Sequence, residues 1–145
     1  QRVYEYVRGQ PYLAQLIGHT LVRHYNREVF ENQRPRSLQF TPQEVDEIIT
    51  SSEFYEQGSY YFTGVWGQAE KGFPTGQLEI LRALASSSTT MSDEDLSRAS
   101  GLSTEKARTA LETLIRHDVI SRSEHGCDFT VPLMRRWINE HAPKS

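Results

Sequence analysis

Gly101-Leu102-Ser103 separates two short amphipathic segments, and the predicted architecture depends on this break. Ser92 is placed to cap the first segment, and Leu96 and Ala99 form its apolar face. Ser103 is placed to cap the second segment, whose apolar residues recur at helical spacing. These residues are Ala107, Ala110, Leu111, Leu114 and Ile115. The pattern predicts two helices joined by a tight glycine turn, a helix-turn-helix.

A predicted hairpin and a last helix follow. Residues 119–122 and 127–131 are β-prone, and 123–126 between them are turn-like. The closing helix begins at Pro132 and has an apolar face, while Arg135 and Arg136 are expected in solvent. We therefore predict a mainly α-helical protein that ends in a winged-helix domain with a two-stranded wing. That fold serves either to read DNA or to pack as a module within a larger switch.

The sequence pattern of the first half of the chain predicts helices only. One helix begins at Pro11 and keeps helical apolar spacing to Val29, and Thr41 to Glu44 supply a capping box for another. Residues 31–40 lack periodicity and predict a connector. Gly72-Phe73-Pro74 interrupts the pattern before a helix expected over 75–85. We predict a helical lid-like subdomain over residues 1–72 and the winged-helix domain over residues 73–145.

Six of the 15 aromatic residues fall within positions 54–66. Such a cluster is able to bind a ligand or stack on bases, but large aromatic side chains at helical spacing are more often core residues. We expect this segment to be mainly core.

Composition narrows the function classes. The 145 residues carry 16 basic and 19 acidic side chains, so the chain lacks the positive field typical of nucleic-acid binding. No apolar run reaches transmembrane length, and we expect no membrane partner. The one cysteine, Cys127, lies in a predicted strand, is expected in the core, and fits a cytoplasmic protein. The chain does not begin with Met or a signal peptide, and we expect a fragment of a longer protein.

No catalytic or metal-binding pattern is present in the sequence. The chain has no phosphate-binding glycine loop and no paired metal ligands, and its serines have no adjacent base. His19 and His24 are five residues apart and face different sides of one helix. His117-Asp118 is interpreted as the end of a helix, where histidine complements the helix dipole. We expect no catalytic residue and no metal site in this chain.

The second helix of the motif is the one that would enter a DNA groove. Its outward candidates are Thr104, Lys106, Arg108, Thr109, Thr113 and Arg116. Glu105 and Glu112 share the helix, and residues 74–145 hold nine basic and ten acidic side chains. This balance favours contact with protein over contact with phosphates.

The chain resembles the region that follows the nucleotide-binding core in bacterial STAND-type and related AAA+ ATPases. Part of the resemblance lies in Arg8-Gly9-Gln10-Pro11-Tyr12-Leu13, which is similar to a G-x-P segment that opens a long helix. The rest lies in the order of the elements that follow: the helices, the turn at Gly101 and the final segment from Phe129 to Trp137. In that family a helical lid precedes a winged helix. The residues 1–72 would be the lid.

The resemblance implies that a nucleotide-binding domain lies upstream in the same chain and binds ATP or ADP with magnesium. It places Gly9 and Pro11 beside the nucleotide, with Arg8 as a further candidate for sensing phosphate. A histidine that some relatives place before the last helix is replaced here by the Val131-Pro132-Leu133 segment. The fragment itself needs no cofactor and is not expected to be an enzyme.

Three functions stay open at this point. The first is a regulatory fragment that couples nucleotide state to the position of the winged helix, and so to homo-oligomer assembly or effector binding. The second is a DNA-binding winged helix of an initiator or transcriptional regulator, through Thr104, Lys106, Arg108, Thr109 and Arg116. The third is a protein-interaction adaptor that uses the aromatic segment from Tyr60 to Trp66.

Overall fold

The computed structural model describes residues 2–33 and 40–143, which are mainly helical with one small antiparallel hairpin. The chain divides into two compact units, Gln1–Tyr61 and Phe62–Ser145. Residues 34–39, most of the predicted connector, lie outside the described part. No helix in the described ranges is both long and apolar enough to cross a membrane.

The first unit is built from helices whose starts the sequence dictates. Its elements are α1 (Arg2–Val7), α2 (Pro11–Asn26), a π-helical segment (Arg27–Glu31), α3 (Pro42–Ile48), α4 (Ser52–Gln57) and the start of α5 (Ser59–Lys71). Pro11 occupies the first turn of α2, and the side chain of Gln10 accepts from the Leu13 amide at 2.9 Å. Thr41 and Glu44 form the predicted capping box. The α-helix expected to reach Val29 ends at Asn26 and continues as the π-helical segment.

The core of the first unit lies where α2 packs against α1, α3 and α4. Its buried apolar side chains are Val7, Leu13, Ile17, Leu21, Val45, Ile48, Ile49, Phe54 and Tyr55. Removal of this surface from water is the main favourable contribution to the stability of the unit.

The second unit contains the remainder of α5, then α6 (Gln77–Ala85), α7 (Asp93–Ser100), α8 (Thr104–Arg116), β1 (Ile120–Ser123), β2 (Gly126–Phe129) and α9 (Leu133–Glu140). Helix α6 packs against α7, α8 and α9. The strands are antiparallel, with Ile120 opposite Phe129 and Ser123 opposite Gly126. Helix α6 begins two residues later than predicted, because Gly76 before it is left-handed, with φ of 105°.

The aromatic segment contributes to the core of the second unit, as expected. Phe62 stacks on Trp137 with ring centroids 5.8 Å apart, and Trp66 meets Trp137 edge-on at 5.7 Å. These contacts bring residues from 62 onward into the second unit. The division between units therefore falls inside α5, whereas the sequence pattern predicts it near Gly72.

The local signals around Gly101 are confirmed. Gly101 has a φ of 76° and ends α7, as the glycine turn requires. Ser92 accepts from the Asp95 amide at 3.1 Å, and Ser103 accepts from the Lys106 amide at 3.2 Å. Both serines are therefore N-caps, which satisfy amides at the free ends of the two helices.

Three expectations about burial are wrong. Ala99 is exposed rather than buried. Helical spacing places Thr113 outward, but it is only 3% exposed, since its hydroxyl donates to the Thr109 carbonyl within α8 and the rest of the residue packs inward. Arg135, expected in solvent, has a side chain that is 19% exposed and pairs with Asp128. Burial depends on the partners that tertiary packing supplies, which helical spacing alone does not define.

Candidate functional site

The turn between α1 and α2 carries the residues that the family resemblance places beside a nucleotide. Arg8 and Gly9 both have left-handed backbones, with φ of 46° and 78°. The Arg8 amide donates to the Tyr4 carbonyl at 2.7 Å, and the Gln10 amide donates to the Val7 carbonyl at 3.0 Å. These bonds reverse the chain sharply. Arg8, Gly9 and Pro11 are all exposed, so the turn is accessible.

Three exposed tyrosines, Tyr4, Tyr12 and Tyr60, belong to the same unit as this turn. The Tyr4 ring lies near Gly9, since a Cβ placed on Gly9 would be 4.0 Å from the ring. Tyr12 follows Pro11, and its ring meets that of Tyr60 edge-on with centroids 6.1 Å apart. The sequence pattern marks Tyr60 only as a member of the aromatic cluster and does not single out Tyr4 or Tyr12. Their exposure, which helical spacing does not indicate, distinguishes them.

In the second unit the turn between α7 and α8 is held by side chains as well as by glycine. The Ser97 hydroxyl donates to the Leu102 carbonyl at 3.1 Å. An open groove lies between the two helices, with Leu96, Leu102, Ala107 and Leu111 among its lining residues. Asp93, Glu94, Arg98 and Arg108 also line this groove. Its wall therefore carries both signs of charge.

All five residues that the DNA-binding alternative requires are exposed on α8. They are Thr104, Lys106, Arg108, Thr109 and Arg116. The hydroxyl of Thr109 donates to the Glu105 carbonyl at 2.8 Å, and Arg116 donates to the Thr113 hydroxyl at 3.4 Å. Residues 92–126, from the α7 cap through the hairpin turn, hold seven acidic and five basic side chains. A net negative surface repels phosphates rather than attracting them.

The hairpin is tied to its neighbours by two ion pairs. Arg122 on β1 donates to Asp93 of α7 at 2.9 Å. Arg135 of α9 donates to Asp128 on β2 at 2.8 Å, and its guanidinium lies 5.2 Å from the centre of the Phe129 ring. A short bridge also pairs Met91 with Cys127. Met91 carries no strand signal in the sequence, because a single bridge leaves no alternating pattern.

Cys127 is buried, as expected, and forms no disulfide. Burial raises the pKa of its thiol above the usual range, and the nearby Asp93 carboxylate raises it further, while Arg122 opposes both. The Asp93 carboxylate accepts from its Sγ at 3.6 Å. A protonated, enclosed thiol is a poor nucleophile.

The two histidines of α2 differ in exposure, since His24 is partly buried. His19 is exposed on α2, and His117 is the residue after α8, where Asp118 takes a left-handed backbone with φ of 63°. No group of three histidine, cysteine or acidic side chains that could hold a metal occurs within residues 2–33 and 40–143.

Only part of the aromatic segment of the adaptor hypothesis is exposed. Phe62 is fully buried and Trp66 is 4% exposed, whereas Tyr60 is 82% exposed. Large apolar side chains in this segment pack inward because they belong to the core of the second unit. Of the named range, Tyr60 offers the most exposed ring.

Comparison with known proteins gives one family. Residues 63–138 match the model of a domain of unknown function, DUF8462. This match starts inside α5 and ends within α9, and it covers just over half of the 145 residues. No curated protein and no solved structure matches the chain. The chain belongs to the DUF8462 family.

Proposed function

We propose that this DUF8462 protein is the non-catalytic regulatory region of a STAND-type or AAA+ ATPase. Its first unit acts as a lid over nucleotide bound by a domain upstream in the same chain. Its second unit is a winged helix whose position controls assembly into a homo-oligomer or binding of an effector protein. The observation that carries the proposal is the exposed Arg8 to Pro11 turn at the start of α2, followed in order by a helical unit and a helix, turn, helix and hairpin unit.

The winged-helix assignment of the second unit rests on element order and on the hairpin. Helices α6, α7 and α8 pack together, and β1 and β2 follow as an antiparallel pair. The Met91 bridge to Cys127 adds a short third pairing to the hairpin. A hairpin that contacts α8 and pairs through Arg122 with Asp93 of α7 supports the assignment.

Pro11→Ala tests the lid. Proline at the first turn of a helix has no amide to lose there, so this change should cost the fold about 1 kcal/mol or less. In the intact protein with its upstream domain, we expect weaker ADP binding, because Pro11 shapes the turn that faces the nucleotide. Isothermal titration measures the affinity, and thermal melting of the 145-residue chain measures the fold.

The matched control is Gln15→Ala, an exposed change one turn further along α2. It should leave both readouts unchanged. If Pro11→Ala leaves the ADP affinity of the intact protein as it was, Pro11 does not belong to the site. An intact protein with no affinity for ADP would remove the whole proposal.

DNA binding is the second candidate, favoured by one observation. Thr104, Lys106, Arg108, Thr109 and Arg116 are all exposed on α8. The surrounding residues 92–126 are net negative, however, and that balance supports a protein partner over DNA.

A further inference from the structure

The groove between α7 and α8 is open to solvent, although part of its lining is apolar. Its volume is about 580 Å³. Pockets that hold ligands in proteins span about 300–1,000 Å³. Leu96, Ala107 and Leu111 contribute apolar lining, and Leu102 at the turn lines the groove and is partly exposed. The groove therefore has room for a large apolar side chain from a partner.

The second unit also presents the most exposed large apolar side chain among the described residues. Phe73, in the loop between α5 and α6, is 85% exposed, so its ring does not occupy the groove of its own chain. The Gly72 amide donates to the Gln68 carbonyl at 2.8 Å. The Gln77 side chain donates to the Pro74 carbonyl at 2.9 Å. Because the backbone is held on both sides of Phe73, little loop ordering is needed to bury its ring against a partner.

The charges beside Phe73 complement the charges of the groove. Glu70 and Lys71, at the end of α5, are both exposed. Glu94 of α7 and Arg108 of α8 line the groove and are exposed as well. None of these four side chains forms an ion pair or a side-chain hydrogen bond with another residue of the described ranges 2–33 and 40–143. Each side of the contact therefore offers one acid and one base that have no partner among those residues.

We propose that the second unit binds a second copy of this chain, with Phe73 of one copy seated in the α7–α8 groove of the other. Lys71 then pairs with Glu94 across the contact, and Glu70 pairs with Arg108. This charge complementarity favours a second copy over an apolar partner segment. The inference rests on the proposed function for its role, because assembly is the output proposed there. The contact itself needs neither nucleotide nor an upstream domain.

Sedimentation velocity of the 145-residue chain over a concentration series tests the contact. We expect self-association with a dissociation constant tighter than about 1 mM, and weaker association as salt rises. Phe73→Ala should weaken it about 10- to 150-fold, since the burial of a phenylalanine side chain is lost. Phe30→Ala is the matched control, because Phe30 is 72% exposed in the first unit. Both positions are exposed, so both variants should melt like the parent chain.

Charge reversal tests the two ion pairs. Glu94→Lys together with Arg108→Glu inverts the charges of the groove and should weaken self-association, because like charges then meet across the contact. Glu70→Lys together with Lys71→Glu inverts the charges beside Phe73 and should weaken it similarly. All four substitutions in one chain restore both pairs and should recover association. Net charge is the same in all of these variants, so a general change in charge cannot produce this pattern.

Mixing two variants tests whether Phe73 and the groove meet between copies. The Phe73→Ala chain keeps an intact groove, and the chain with the inverted groove keeps Phe73. An equal mixture should associate more tightly than either variant alone, because one intact Phe73 then meets one intact groove.

Three results would overturn the inference. The first is a parent chain that stays monomeric up to about 1 mM. The second is association that Phe73→Ala leaves unchanged, and the third is a four-substitution chain or a mixture that recovers nothing. The affinity of the intact protein for ADP is a separate measurement, so the lid function can stand when this contact fails, and the contact can stand when the lid function fails.

Discussion

Asp118 holds a backbone conformation that few residues tolerate. Asp118 lies between α8 and β1 with a φ of 63°. This is the left-handed region of backbone conformation, which aspartate and asparagine adopt more readily than most residues. We expect Asp118→Gly to stay within about 0.5 kcal/mol of the parent stability, since glycine adopts positive φ freely but gains entropy when unfolded. Asp118→Val should cost about 1–2 kcal/mol, because a β-branched residue is strained there. Urea unfolding measures both. Equal stability of the two variants would mean that the turn relaxes to another conformation.

Arg135 contributes to the fold rather than to solubility. Its pairing with Asp128 and its position over the Phe129 ring are half-buried interactions. Arg135→Ala should therefore destabilise the second unit by about 1–2 kcal/mol. Arg136→Ala is the control, because Arg136 is more exposed and lies 3.8 Å from Glu140. Fluorescence of Trp66 and Trp137, the two tryptophans of the chain, follows the unfolding. A similar loss of stability in Arg135→Ala and Arg136→Ala would contradict the specific role of Arg135.

Among the elements, two turn glycines should respond differently to the same change. Gly101 and Gly126 both have positive φ, so alanine is strained at either position. A Cβ at Gly101 meets open space, whereas one at Gly126 would be 2.8 Å from the Met91 carbonyl oxygen. Gly101→Ala should cost about 1 kcal/mol and Gly126→Ala about 2–3 kcal/mol. The midpoints of urea unfolding of the two variants give the comparison, provided that the dependence of the unfolding free energy on urea has the same slope in both. If Gly101→Ala lost more stability than Gly126→Ala, the bridge between Met91 and Cys127 would not contribute to the stability of the fold.

The helix boundaries that carry a capping residue could be predicted from the sequence, because capping is local. Thr41, Ser92, Ser103 and Gly101 each act within a few residues along the chain, and each is confirmed. Contacts between distant segments could not be predicted in this way. Pairing of Met91 with Cys127, and of Arg135 with Asp128, depends on how the helices bring these residues together.

The candidate site follows the same division. Gly9 and Pro11 were chosen through the family resemblance of a short motif, and their place beside a nucleotide stays a prediction. Tyr12 of α2 and Tyr60 of α5 contact each other although they are 48 positions apart in sequence. Periodicity favoured core roles for the aromatic cluster, and it could not separate exposed Tyr60 from buried Phe62.

For the molecule as a whole, charge governs the expected response to DNA. A chain with net charge −3 and a net negative surface over residues 92–126 neutralises few phosphates. We expect a dissociation constant for duplex DNA no tighter than about 10 µM at about 0.15 M salt, weakening steeply as salt rises. Fluorescence anisotropy over a salt series measures it. Tight, sequence-selective binding that is lost in Arg108→Ala or Arg116→Ala would favour the DNA-binding alternative.

The close approach of Gly126 to Met91 also sets how far this position can drift during evolution. Any side chain at 126 would clash with the main chain of Met91. Because the clash is with backbone atoms, a substitution at another position cannot relieve it by providing a smaller side chain. Position 101 has room, and asparagine tolerates its left-handed conformation. Among homologues that keep the Met91 bridge, glycine should therefore be fixed at 126 while 101 alternates between glycine and asparagine. Lineages that lose glycine at 126 should be those in which the segment before α7 has changed its path.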